Sequence, residues 1–321
     1  MSDARPRRFF SESSFWNQPI PADAEVDPRS EHFSNLIMQG RDGPGFGINV
    51  RRWTIPVYEV DARTPRRRIH QRPCDHPHYA RWGRPFRHGP GFGPEIPIPD
   101  HARPDPEPDA HMAMVDWERR QAWDMWYVRR RQDGEWESAT GMTYALDGDG
   151  VFNRGMFDVQ PGESIHFHGP SRAAGVPAIA GLIMHDEVLA GRIEHKLAFA
   201  CRKNAYLEFV WPAAWTDGKL EGGIPEGAVI QLDPALDLEQ FHLDRGGMTV
   251  ARALQEYGAV NVDCAGGNAL YAEHPFGKPG IDWEGVLDPF CLAHIEGKHC
   301  RVLKLGELIH GGKTREPLSS D

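Results

Sequence analysis

The chain has 321 residues, with Lys+Arg 36 against Asp+Glu 46, a formal net charge of −10, 40% hydrophobic and 26% charged residues. That is the composition of a globular chain, which excludes a disordered, collagen-like or coiled-coil protein. No apolar run reaches the roughly 18–20 residues a bilayer-spanning helix needs, and an acidic balance speaks against nucleic acid, whose phosphates require clustered Lys and Arg.

The segment Met1–Arg8 leads into Phe9-Phe10 without the apolar stretch of a secretory signal, so the expected location as written is cytoplasmic, or extracellular by another export route. Residues 29–40 (RSEHFSNLIMQG) predict a short helix with Ser30 as N-cap and Gly40 as its stop. Residues 84–108 form a long Pro/Gly loop, a length usually reserved for function. The apolar, aromatic-rich runs 111–117 and 122–128 flank a polar turn and read as a hairpin. Period-two alternation from Ile193 to Cys201 puts Ile193, His195, Leu197, Phe199 and Cys201 on one strand face. Met248–Tyr257 carries a helical apolar stripe, and Val260–Cys264 with Ala269–Glu273 predicts a second hairpin around Ala265-Gly266-Gly267-Asn268. With Gly 34 and Pro 27 scattered along it, the chain predicts a mainly β fold. The expectation is one β-rich domain over residues 1–321, an antiparallel β-sandwich or jelly-roll-like core with a few short helices.

These segments as a set resemble a group of uncharacterised, largely actinobacterial, mostly secreted β-rich proteins. The resemblance rests on Phe15-Trp16-Asn17-Gln18-Pro19-Ile20-Pro21 and on Ile96-Pro97-Ile98-Pro99 leading to Asp109-Ala110-His111. It continues in Gly181-Leu182-Ile183, Glu187, Gly191, Ile193, His195 and Leu197, and in Ile224-Pro225-Glu226-Gly227 before Leu232-Asp233-Pro234. The group has no settled activity; its β-rich, Trp-rich character implies work on extracellular polysaccharide.

Four residues are candidate catalytic groups. Asp109 and His111, two apart, would share a strand face some 6–7 Å apart, suiting two ligands of one metal or an acid–base pair. Glu187 and His195 offer a carboxylate beside an imidazole on an apolar face, which reads either as a hydrogen-bonded core histidine or as a general base. Arg192, Trp126, Asp263 and Tyr271 are candidate substrate-binding residues: a guanidinium for a carboxylate, a flat ring for a sugar, and polar groups beside them. His166 and His168 have a chelating spacing but no third ligand fixed by it, and read first as a solvated face. Asp147-Gly148-Asp149-Gly150 lacks the rest of a calcium loop and reads as a turn.

Five cysteines show no CxxC and no zinc spacing, although Cys291 and Cys300 are placed to pair. The sequence requires no cofactor and leaves room for a divalent metal. The expected function is a carbohydrate-active enzyme cleaving a polysaccharide or oligosaccharide. It would act by carboxylate hydrolysis or by β-elimination through His, Tyr and Arg. The alternatives are a non-catalytic glycan-binding or surface protein and a metal-dependent enzyme using a histidine cluster.

Overall fold

The structure, a computed structural model, describes residues 7–73, 86–157 and 168–311. Among the described residues seventeen strands form four sheets. The largest runs, in spatial order, β1 (Gly47–Asn49), β15 (Ala269–Tyr271), β10 (Leu197–Cys201), β14 (Ala259–Cys264), β13 (Val229–Leu232) and β16 (Cys300–Val302). A four-stranded sheet runs β2 (Val57–Glu59), β5 (Met112–Asp116), β6 (Gln121–Trp126) and β9 (Thr140–Ala145). Another runs β4 (Glu95–Pro97), β3 (Arg66–Gln71), β8 (Trp136–Ser138) and β7 (Arg129–Arg130). The smallest runs β12 (Ile224–Glu226), β11 (Asn204–Phe209) and β17 (Ile309–His310).

Strand alternation builds the layers. Along β10, Leu197, Phe199 and Cys201 join one apolar cluster with Val250, Ala253 and Leu254 of helix α3 (Arg245–Glu256) and with Phe33 and Ile37 of α1 (Ser30–Ile37). The alternate residues Ala198 and Ala200, with Val260 and Val262 of β14, join a second cluster that also holds Ala113, Val115, Ala122 and Tyr144 of the β2–β5–β6–β9 sheet. The opposite face of that sheet (Met112, Met114, Trp123, Met125) packs with Ile69, Ile96 and Trp136 of the β4–β3–β8–β7 sheet. The fold is therefore mainly β, with stacked sheets and three short helices, the third being α2 (His185–Ala190).

Local readings were met with instructive differences. The 111–128 hairpin forms with Met112 opposite Met125 and Asp116 opposite Gln121. The second hairpin does not form: β10 lies between the two strands, pairing in parallel with β14 and antiparallel with β15. A short polar link could close a two-strand turn, but burial favours placing the apolar β10 centrally, where both its edges are hydrogen-bonded. Parallel pairs also join β1 to β15, β2 to β5, β3 to β8 and β11 to β12, so the sheets are mixed. Ser30 starts α1 instead of capping it, because its hydroxyl accepts the Val302 N–H of β16 at 2.9 Å. Helix α3 starts before Met248, where the Asp244 carboxylate takes the Gly247 N–H at 2.6 Å.

The feature that positions the site is irregular. Every residue from 168 to 183 is buried, and Ala174, Val176, Ala178, Ile179, Ala180 and Leu182 belong to the cluster that takes one face of each of the two central sheets. Small side chains allow this close approach, and the backbone is satisfied by neighbours: the Ala174 N–H donates to the Val262 carbonyl at 3.0 Å, and the Ala198 N–H to the Gly181 carbonyl at 2.8 Å. Gly181 has φ +70°, and a Cβ there would lie 2.4 Å from the Ala198 nitrogen. Gly181→Ala is expected to lower unfolding stability by about 1–3 kcal/mol in urea denaturation; an unchanged midpoint would contradict the packing of this segment.

Candidate functional site

Arg172 lies in that segment, 1% exposed. A buried guanidinium is costly unless charge and hydrogen bonds compensate it. One Nη2–H donates to the Ala178 carbonyl at 3.1 Å, and the guanidinium carbon lies 4.2 Å from the Tyr271 ring centroid. Its charge is felt by Asp124, His111, Asp263 and Tyr271. The Nε has no partner among the described residues.

Acid groups surround this cation. Asp124 on β6 accepts the Ala178 N–H at 2.7 Å and the Tyr144 hydroxyl at 2.9 Å, fixing the segment to the sheet. Burial nonetheless pushes its carboxyl up to about 6. Asp263, half-buried at the end of β14, is pushed well above the usual carboxylate range by burial and by the Asp217 charge, against the pull of Arg172, with Asp109 adding to the rise. Tyr271 on β15 is likewise held protonated by burial and by the Asp263 charge. Next along β14, the Cys264 thiol is raised by burial and by Asp217 and Glu226.

Five of the eight residues singled out from the sequence thus meet around Arg172. Asp263 and Tyr271 are there, and Asp109 acts electrostatically on both. His111 is buried, hydrogen-bonded to the Met125 backbone, and driven down to about 3 by burial and by Arg172, so it is a neutral imidazole whose Nδ1 has no partner among the described residues. Trp126 is buried between Phe86 and Tyr127 and donates its indole N–H to Asp109 Oδ1 at 3.2 Å. It therefore positions Asp109 and offers no open sugar platform, a correction of its expected role. Asp109 and His111 do not share a regular strand either: Ala110 between them has φ +44° and β5 starts at Met112. The local turn brings the Asp109 carbonyl to the Tyr127 N–H at 2.8 Å.

The other three residues belong elsewhere. His195 Nε2 meets Glu187 Oε2 at 3.1 Å and its Nδ1 meets the Lys196 carbonyl at 2.8 Å, so both ring nitrogens are occupied. Glu187 also accepts the Met184 N–H at 3.2 Å, closing the start of α2. Burial would lower the His195 pKa, but the Glu187 charge and hydrogen bond, helped by Lys196, outweigh it and raise it. The pair fastens α2 to the strand entry and, with Arg8, Phe10, Trp16 and Asn17, lines a small pocket of its own. Arg192 is at the surface, bonded to Glu194 at 2.8 Å and Glu256 at 3.2 Å, and so is not a substrate clamp at this centre.

His166 lies outside the described residues, and His168 is buried at the start of the Arg172 segment. The single metal-capable group among the described residues contains no histidine: it is Asp217, Glu226 and Cys264. Cys291 and Cys300 are unbridged. Residues that the sequence reading missed are Arg172, Asp217 and Glu226. Thr216-Asp217-Gly218 and Pro225-Glu226-Gly227 look like ordinary turns; the one usable signal was Arg172, a lone charge leading a run of small and apolar residues.

A separate cavity of about 550 Å³ is lined by Phe9, Val57, Val115, Trp117 and Glu273, with Arg7, Glu59, Asp186 and Lys278 among its charged residues. Those charges pair with each other, Arg7 with Glu59 at 3.4 Å and Lys278 with Asp186 at 2.6 Å. Burial lifts Glu273 to about 7, yet none of the Arg172-centre residues lines this cavity. Comparison with protein-family models, with curated proteins and with solved structures yields no match to the chain.

Because the His195 pKa is raised in the fold, the stability from its pair with Glu187 is fully present below the unfolded histidine value of about 6.5 and is lost as pH rises through the folded value. Glu187→Gln, which removes one partner of a buried pair, is expected to cost about 3–5 kcal/mol at about pH 6 and less at alkaline pH. Denaturation across pH checks this; a penalty independent of pH would contradict it.

Proposed function

We propose that the Arg172 centre is the active site of a hydrolase acting on a neutral polysaccharide or oligosaccharide. The observation that carries this reading is the placement of two carboxyl groups, half-buried Asp263 and Trp126-bonded Asp109, about the buried Arg172–Tyr271 pair, with burial holding Asp263 above the usual carboxylate range. Glycoside hydrolysis needs one carboxyl that stays protonated to donate to the leaving oxygen, and one carboxylate to act as base or nucleophile. Asp263 would be the acid and Asp109, aimed by the Trp126 indole, the carboxylate. Tyr271 and Arg172 would hydrogen-bond and balance charge as the bond polarises.

β-Elimination from a uronate is the second reading, and the stacked Arg172–Tyr271 pair favours it, since that reaction wants a cation at the carboxylate and a phenol as proton donor. Two facts weigh more heavily. Asp124 and Asp263 feel the guanidinium directly and Asp109 acts on Asp263, so acid groups already outnumber the one cation, a poor setting for a further anion. Neither expected base is suited: His111 is held at about 3, and His195 is bound on both nitrogens. A site of buried and half-buried acid groups around a cation also fits catalysis better than a flat glycan platform.

A panel of neutral and uronate polysaccharides, assayed together for reducing ends and for unsaturated uronate absorbance, tests the reading. Reducing ends without that absorbance are expected. Asp263→Asn and Asp109→Asn should each lose about 10²–10⁴-fold in kcat, while folded His195→Gln keeps the wild-type rate. Unsaturated product, full activity in Asp263→Asn, or binding on a glycan array with no cleavage would each overturn it.

A further inference from the structure

We propose that Asp217, Glu226 and Cys264 bind one divalent cation of borderline softness, with Zn²⁺ the best match. One carboxylate oxygen from Asp217, one from Glu226 and the Cys264 sulfur all lie within 4.8 Å of one another. Ligands of a tetrahedral zinc stand roughly 3.5 Å apart, as follows from its bond lengths of about 2.0–2.3 Å, so small side-chain shifts would close the shell. One thiolate with two carboxylates suits zinc over the all-oxygen preference of Mg²⁺ or Ca²⁺.

A second observation points to an occupant. Glu226 is 0% exposed, and its Oε2 has no hydrogen-bond donor among the described residues. Its carboxyl meets that of Asp217, and two carboxylates can share only a proton or a cation. The other oxygen, Oε1, is fixed by the Asn204 Nδ2–H at 2.9 Å, and Asn204 is fixed in turn by the Asn261 Nδ2–H at 3.0 Å. Such outer bonds orient ligands at metal centres. The next residue, Gly227 with φ +89°, has no room for a Cβ, which would lie 1.8 Å from the Val210 carbonyl oxygen. Asp217 and Cys264 are only half-buried, which leaves an ion a way in.

The proton balance is explicit. Cys264 coordinates as the thiolate, so its S–H bond breaks and the proton passes to the buffer as the bond to the ion forms. The inference does not depend on the hydrolase reading, because its test needs no substrate.

Metal-stripped full-length protein would be titrated with ZnCl₂ by calorimetry in buffers of different ionisation enthalpy, and with CoCl₂ by absorbance. The expected results are one ion per chain, release of protons to the buffer on binding, and a thiolate-to-cobalt charge-transfer band. Cys264→Ser keeps the shape of the side chain and should abolish the band and weaken Zn²⁺ binding about a hundredfold or more; Glu226→Gln should weaken binding comparably. Absence of stoichiometric binding to wild-type protein, or binding and band unchanged in Cys264→Ser, would overturn the proposal.

Discussion

A guanidinium with almost no access to water is the constraint on which the centre of this protein depends. Arg172 cannot lose its proton and cannot be left uncompensated, so the fold must bring opposite charge and polarisable surface to it. Asp124 arrives from β6, Asp263 from β14 and the Tyr271 ring from β15. These strands belong to two different sheets, and the buried segment 168–183 links them. Packing and electrostatics are thus one problem here: the small residues that let the segment enter the core also carry Arg172 into it.

Compensation is carried past neutrality. Asp124 and Asp263 feel the one fixed positive charge, Asp109 acts on Asp263, and Asp217 with Glu226 crowds Asp263 and Cys264 from the other side, so these groups cannot all ionise in a region of low polarisability. The result is that Asp124, Asp263 and Glu226 hold their protons above the usual carboxylate range, chiefly through burial. That excess separates this centre from the Glu187–His195 pair, where one base meets one acid and the remaining bonds are filled. A saturated pair holds structure together. The Arg172 centre differs in carrying several acid groups for one cation, with Asp217 and Asp263 half-buried at its edge.

How much of this was legible in the sequence differed by level. The hairpin of 111–128 follows from local patterning and forms, whereas of the alternation read over 193–201 only Leu197–Cys201 is strand, Ile193 and His195 lying in the irregular entry before it. The insertion of β10 between β14 and β15 is non-local, since no pattern within 260–273 records which third strand takes the shared edge. Asp109, His111, Trp126, Asp263 and Tyr271 were visible as polar or aromatic residues at strand ends, though Trp126 as a buried donor was not. Glu187 and His195 matched each other as a pair, and only tertiary geometry shows that every bond of the ring is already used. Arg172, Asp217 and Glu226 stayed hidden because their burial comes from partners far along the chain, while their own neighbours read as turns and small residues.

The most direct test of this account is a carbon NMR titration of protein labelled at the Asp and Glu carboxyls, with Asp263→Asn and Glu226→Gln used for assignment. The account predicts that both carboxyls remain protonated far above the ordinary range of about 3.5–4.5 in metal-free protein. It also predicts that Arg172→Met raises the Asp263 value further, since Arg172 is the cation that holds it down. Ordinary titration of both carboxyls, or an Asp263 value indifferent to loss of Arg172, would contradict it.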